Sequence, residues 1–310
     1  MISSLELARL CGVSQGTVDR AVHNRKGVSP ETRGLILAAA AEHGYRPNPA
    51  AREMLTGRNP AVPALVPQLN SVFFMDLLTV VKDVLDKAGY KFSILPVADA
   101  REAVGVLQEL TARKVRHALM IPPEDAMELP AALARDIRVV TLINDCAAGS
   151  AAFVSPDERR AGADAAAHLL RHGHRSVMHV TYTRESYPVR ARWEGFAAAM
   201  AAAGVPCAVV RGFQDGPFLE RLAACRATAV FCHNDWLALA VLRALERAGV
   251  GVPAQVSVLG VDSSPTFISL CPDISSMRYP FEWVAAGALA ALRGEPLPPP
   301  PPFELLPRRT

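Results

Sequence analysis

The chain has 310 residues, half of them hydrophobic, so it is long enough for two or three domains and too apolar to be disordered. The net charge is only +3, yet it is unevenly spread: residues 1–60 hold eight Lys and Arg against five Asp and Glu, and the other 250 hold 25 of each sign. The excess sits in one N-terminal segment, where a phosphate-binding surface would require it. The six cysteines lie scattered without C-x-x-C spacing, which points to reduced core thiols rather than a disulfide framework. Cys232-His233 has no second pair nearby, so no metal site is expected, and nothing calls for a cofactor. Glu6 and Arg9 interrupt any signal peptide, and the longest uncharged run is broken by Pro60, Pro63 and Pro67. A cytoplasmic protein with no membrane segment is expected.

Taken in order, Ser3-x-x-Glu6 is a capping box that opens a first helix ending near Leu10, with Leu5, Leu7, Ala8 and Leu10 expected inward. Gly12 supplies a tight turn, and Ser14 caps a second helix running to about Asn24. Val18, Ala21 and Val22 form its narrow apolar stripe, which leaves Gln15, Gly16, Asp19, Arg20 and His23 on other sides. This is a helix-turn-helix whose second helix offers its N-terminal side chains to base edges in a major groove. Gly12-Val13-Ser14-Gln15-Gly16 also matches the G-x-S-x-G pattern of hydrolase nucleophiles. That pattern needs a preceding strand, and the residues before it read as helix. Ser29-Pro30 starts a third helix that ends at Gly44, with Leu35, Ile36, Ala39 and Ala40 as its core face. Asn48-Pro49 repeats the cap-and-proline signal for a short helix, 49–55, too short to hold itself alone in water.

From Val62 onward strands alternate with helices. Apolar runs occur at 63–66, 92–95, 117–121, 139–143, 177–180, 229–232 and 256–261, separated by amphipathic helices at 72–89, 100–114, 158–172, 189–204 and 235–249. Such alternation predicts an α/β fold of parallel βαβ units, and the number of units predicts two sheets. The stretch 296–302 is a proline-rich connector to a last strand near 303–306.

These residues also carry a resemblance over essentially the whole chain. Leu7-Ala8-Arg9, Gly12-Val13-Ser14, Thr17-Val18-x-Arg20, Val28-Ser29-x-Glu31-Thr32-Arg33, Gly44-Tyr45-x-Pro47-Asn48 and Ala51-Arg52-x-Met54 are similar to the lactose-repressor (LacI/GalR) family of bacterial regulators. Ala161-Gly162, Arg192-x-x-Gly195-Phe196, Asn234-Asp235, Val256-Ser257-Val258-x-Gly260-x-Asp262 and Arg278-x-Pro280 continue the pattern. The resemblance implies a headpiece (1–47), a hinge helix and linker (48–61) and a periplasmic-binding-protein-like core (62–310). The core would divide into an N-subdomain near 62–157 and 279–293 and a C-subdomain near 158–278 and 300–310. It further implies a homodimer that binds double-stranded operator DNA and answers to a small, sugar-like effector. Two departures stand out: Asp19 and His23 replace the family's frequent Ser and Leu. Met54 replaces the usual wedge leucine.

Arg20 leads the DNA-contact candidates, because its fork can pair with guanine O6 and N7. Ser14, Gln15 and Gly16 sit at the helix N-terminus, while Thr17, His23 and Asn24 position the backbone; Thr17 can equally be packing. Asp19 can accept from a cytosine amino group or orient Arg20. Ala51 and Met54 lie on the apolar side of the hinge helix. In the core, ligands of such folds bind at strand C-ends. The resemblance puts Phe73 and Phe74 in that cleft. Arg192, Asn234 and Asp262, with Asn144 as a further candidate, would bring a cation, amides and a carboxylate to hydroxyl groups of a sugar or polyol. Arg192 suits an effector carboxylate or phosphate equally. Asp235 is expected to cap the helix after it rather than contact ligand. The alternative, a sugar-metabolising enzyme on the same core, lacks a phosphate loop, a metal cluster or a spaced acid pair.

Overall fold

The computed structural model describes residues 2–46, 59–124 and 127–310, and the chain divides into two compact units, 1–59 and 60–310. Ala51 and Met54, with the rest of the predicted helix at 49–55, lie outside the described residues.

The first unit holds α1 (Ser4–Leu10), α2 (Gln15–Val22) and α3 (Pro30–Glu42). Ser3, Ser14 and Ser29 each accept the backbone N–H three residues on, and the Ser3–Glu6 capping box closes in both directions. Gly12 takes φ +64°, which lets α1 turn into α2 without a Cβ clash. Leu7, Ala8, Val18, Ala21, Ile36 and Ala40 form the buried core of this unit. The helices are narrower in their burial than their sequences suggested. Leu5, Leu10 and Leu35 are exposed, because a three-helix unit of this size can cover only one residue per turn.

The second unit contains two sheets. In the first, β1 (Ala61–Val66), β2 (Lys91–Pro96), β3 (His117–Met120), β4 (Arg138–Leu142) and β5 (Ala152–Val154) run parallel in the order β2-β1-β3-β4-β5. Helices α4 (Val72–Lys87), α5 (Ala100–Ala112) and α6 (Ala131–Asp136) connect them. Val62, Ala64 and Val66 join one apolar cluster while Leu65 joins the other, so β1 is buried on both faces. That is why it reads as a continuous apolar run rather than an alternation.

The second sheet has β6 (Val177–Thr181), β7 (Cys207–Arg211), β8 (Ala229–Cys232), β9 (Ser257–Asp262), β10 (Ser275–Arg278) and β11 (Glu304–Leu306) in the order β11-β10-β9-β8-β6-β7. It is parallel except for the β10–β11 pair. Its helices are α7 (Glu158–Arg171), α8 (Tyr187–Ala202), α9 (Asp215–Cys225), α10 (Asp235–Arg247) and α11 (Pro265–Leu270). The chain then returns to the first sheet as α12 (Phe281–Arg293), which packs on α4, β4 and β5. β5, β7, β10, α6, α9, α11 and α12 were not read from the sequence. β5 and β10 are too short to show a period, and β10 begins with two buried serines that give no apolar signal.

α7 and α8 cross in backbone contact. A Cβ on Gly162 would collide with the Arg192 carbonyl, and one on Gly195 with the Arg159 carbonyl. Only glycine lets the two helices approach this closely. The crossing sets the first turns of α7 against the second and third turns of α8.

Candidate DNA surface and ligand cleft

On the headpiece, α2 is exposed at Gln15 and Gly16 in its first turn and at Arg20 in its last. Gln15 is tied to α1, its Nε2 donating to the Ser4 hydroxyl at 2.8 Å. The Thr17 hydroxyl sits between Ser14, at 2.8 Å, and the Arg20 guanidinium, at 3.2 Å. The Arg20 fork lies beside Gly16, where a Cβ would be 3.7 Å from Nη1. Asp19 does not orient Arg20, as one of its two expected roles required. Its carboxylate pairs with Arg25 at 3.1 Å and with His23 at 3.0 Å, because both residues lie on its side of the helix end. Arg20 therefore keeps its charge free of any carboxylate among the described residues. Asn24 takes φ +54° and ends the helix. Arg33 reaches from α3 to donate to the Ala21 carbonyl at the C-terminus of α2 and to the Arg25 carbonyl in the turn that follows.

In the second unit, strand order reverses between β1 and β3 in one sheet and between β6 and β8 in the other. The loops at those C-ends face one cleft of about 660 Å³. This is where parallel sheets leave a crevice, since adjacent connections pass to opposite faces. Phe73 and Phe74 follow β1 and Asn144 follows β4; Tyr182 and Arg184 follow β6, Asn234 and Trp236 follow β8, and Asp262 ends β9. Every core residue expected at a ligand site lines this cleft.

Their environments differ from each other. Asp262 is buried, and no donor of the described residues reaches its carboxylate. Burial pushes its carboxyl well above the ordinary carboxylate range; Arg192 opposes that rise, and Asp235 and Glu158 add to it. Asn144 Oδ1 and the Tyr279 hydroxyl are buried without a partner, and so is His233 Nδ1. Asn234 is already engaged. Its Oδ1 caps α10 by accepting from Leu237 N at 3.0 Å, and its Nδ2 donates to Tyr182 at 3.0 Å. The cap expected at Asp235 is thus Asn234, one residue earlier. Asp235 instead turns inward and accepts from Ser263 N at 2.7 Å and from the Ser276 hydroxyl at 2.6 Å.

Arg192 is the most committed of all. Nε donates to Glu158 Oε2 at 2.5 Å, Nη2 to Oε1 at 3.2 Å, and Nη1 to the His233 carbonyl at 2.5 Å. Glu158 is fully buried and Arg192 is 3% exposed. Burial works against the charged guanidinium, yet the Glu158 carboxylate more than compensates and holds Arg192 above its ordinary range. On the apolar side, Phe73 packs edge-on against Tyr279 at 4.9 Å, and Trp236 remains 44% exposed. Glu158, Tyr182, Trp236 and Tyr279 escaped the sequence reading. Trp236 was within reach, standing next to Asn234-Asp235. Glu158 was not, since a first-turn glutamate is ordinarily solvated.

An exposed recognition-type helix on one unit and a polar cleft between parallel sheets on the other define a DNA-binding regulator with a ligand-binding core. The comparisons agree. A model of bacterial regulatory proteins of the lacI family matches residues 5–48, and one of periplasmic binding protein-like domains matches residues 166–309. The transcriptional regulator GntR of Pseudomonas aeruginosa is 30% identical over 303 residues, covering 93% of this chain and 87% of that one. The transcriptional repressor PurR of Photobacterium profundum is 26% identical, covering 90% and 87%. Among solved structures, the Lac repressor dimer bound to operator and the anti-inducer ONPF aligns with a TM-score of 0.83 at 19% identity, over 100% of this chain and 98% of that one. The chain belongs to the LacI family of bacterial regulatory proteins. Among the described residues no helix is long and apolar enough to cross a membrane.

Proposed function

We propose that this regulator is a cytoplasmic, non-enzymatic homodimeric repressor whose operator affinity is set by a hydroxyl-rich effector bound between the two sheets. The observation that carries the reading is the cleft itself: buried acceptors at Asp262, Asn144 and Tyr279 beside the rings of Phe73 and Trp236. A sugar presents hydroxyl donors on its edge and C–H groups on its faces, which suits both sets. The transcriptional regulator CelR, solved as a cellobiose complex, has a TM-score of 0.69 at 23% identity over 100% of this chain and 99% of that one, and supports a carbohydrate effector. On the DNA side, Arg20 and Gln15 read bases and Gly16 leaves room for a base to approach, while Ser14, Thr17, His23 and Asn24 hold the helix against phosphates. Ala51 and Met54 are operator-contact candidates as well, on the minor-groove side.

Effector binding draws the two sheets together, and the resulting change in operator affinity is the coupling free energy, typically about 1–3 kcal/mol. The test is fluorescence anisotropy on an operator selected from random duplexes, repeated with a panel of neutral mono- and disaccharides. One sugar is expected to change operator affinity, and Asp262→Ala is expected to abolish that response while leaving sugar-free DNA binding intact. Operator binding that ignores every sugar, or turnover of any sugar, would argue against the reading.

A further inference from the structure

The cleft carries a cation, Arg192, which by residue type suits an acidic effector. The geometry points the other way. We infer that Glu158 is an internal counter-anion, standing where an effector carboxylate or phosphate would otherwise sit, and that it restricts this cleft to neutral, hydroxyl-donating effectors. The inference rests on the effector reading above and narrows it to a chemical class.

The argument starts from the guanidinium. A carboxylate binds Arg best across one two-pronged edge, with two parallel N–H donors. The Nε–Nη2 edge of Arg192 is taken by Glu158 at 2.5 and 3.2 Å. One N–H of Nη1 goes to the His233 carbonyl. One N–H on Nη1 and one on Nη2 remain, and the charge they carry is already balanced by Glu158, so a neutral oxygen meets them at less cost than a second carboxylate. The charges argue likewise. An acidic effector would bring a second anion to a buried guanidinium whose charge Glu158 already balances, where solvent screens little.

The other lining groups ask for donors. Asn144 Oδ1 is an acceptor without a partner, and Asp262 can only accept when ionised. A carboxylate or phosphate supplies none of the donors they lack, and a hydroxyl supplies one each. The two remaining charges at the cleft do not reverse this. Arg184 is exposed at the mouth and donates to the Pro123 carbonyl, and Glu185 is paired with Arg211. Glu158 is held in place by two features of the fold. It is the first residue of α7, where the helix N-terminus favours a carboxylate, and the Gly162–Gly195 crossing keeps that turn against Arg192.

The test compares D-glucuronate with D-glucose, and potassium acetate with potassium chloride, at equal ionic strength, on the full-length wild type, Glu158→Gln and Arg192→Met. The readouts are thermal shift and calorimetry. Wild type is expected to show no saturable response to acetate or glucuronate. Glu158→Gln keeps the side-chain volume and one acceptor but removes the counter-charge, leaving the Arg192 cation unbalanced, and is expected to bind both anions at least about tenfold more tightly than wild type. The double variant with Arg192→Met is expected to lose that gain, which separates the cleft from anion binding at the basic headpiece.

A saturable wild-type response to glucuronate that disappears in Arg192→Met would overturn the inference. So would a folded Glu158→Gln that gains no anion affinity. If Glu158→Gln does not fold, the wild-type comparison decides alone: anion binding dependent on Arg192 refutes the inference, and its absence upholds it. Operator anisotropy with neutral sugars, run in parallel, reports separately on the effector reading.

Discussion

Replacing Gly162 by Ala tests the crossing that holds the cleft together. The new Cβ would fall far inside contact distance of the Arg192 carbonyl oxygen and 2.9 Å from Phe196 N. Ordinary carbon contacts lie near 3.5–4 Å, so the helices must part by roughly 1 Å or more. Both obstacles are backbone, so no rotamer change relieves them. Overpacking of this kind costs about 1–3 kcal/mol, and the upper end applies where nothing can rotate away. Alanine regains about 1 kcal/mol of helix propensity, leaving a net loss of about 2 kcal/mol. For a unit of this size that is a fall of roughly 4–8 °C in the core melting transition. Gly105 in α5 supplies the control, since a Cβ there meets nothing within 4 Å. Gly105→Ala is expected to raise the same transition by about 2–4 °C. Calorimetry on both variants decides the matter. If Gly162→Ala melts at or above the wild-type temperature, backbone contact at this crossing is not what positions α7 against α8.

On the operator, Arg20→Ala is expected to cost about 1–3 kcal/mol and to relax one base position, read by anisotropy on single-base operator variants; equal affinity would remove Arg20 from the recognition surface. Ser14→Ala removes the α2 cap and is expected to destabilise the headpiece by about 1 kcal/mol in urea titration, with no effect on the melting of the core. Asp235 gives the pH prediction. Burial raises its carboxyl from 3.8 to about 7, so between those values the folded state keeps a proton that the unfolded chain has released. Stability from this group is therefore full below about pH 4 and is lost as pH rises through 7, by up to about 1.4 kcal/mol per pH unit. Asp235→Asn can still meet Ser263 and Ser276, and is expected to erase that slope relative to wild type. Parallel stability curves for the two proteins from pH 4.5 to 7.5 would show that Asp235 does not carry it.

Much of this protein was legible in the residues. The helix-turn-helix followed from local physics, because Ser14, Gly12 and Ser29 act on their own neighbours within one turn of helix. The alternation of apolar runs with amphipathic segments pointed to two sheets of parallel βαβ units, and the rule that ligands bind at strand C-ends brought Asn144, Arg192, Asn234 and Asp262 to one cleft, to which the resemblance added Phe73. What tertiary structure decided is which of them are free. Arg192 reads in sequence as an open cation, and only the crossing of α7 over α8 sets Glu158, thirty-four residues away, across its donor edge. Asp19 reads as a partner for its neighbour Arg20, yet the turn after α2 brings Arg25 to it instead. Leu5 and Leu35 read as core, and their exposure depends on how few residues three short helices can enclose. The difference is physical. Caps, turns and periodicity act over a few residues, whereas the partner of a charge and the burial of a side chain depend on where distant backbone comes to rest.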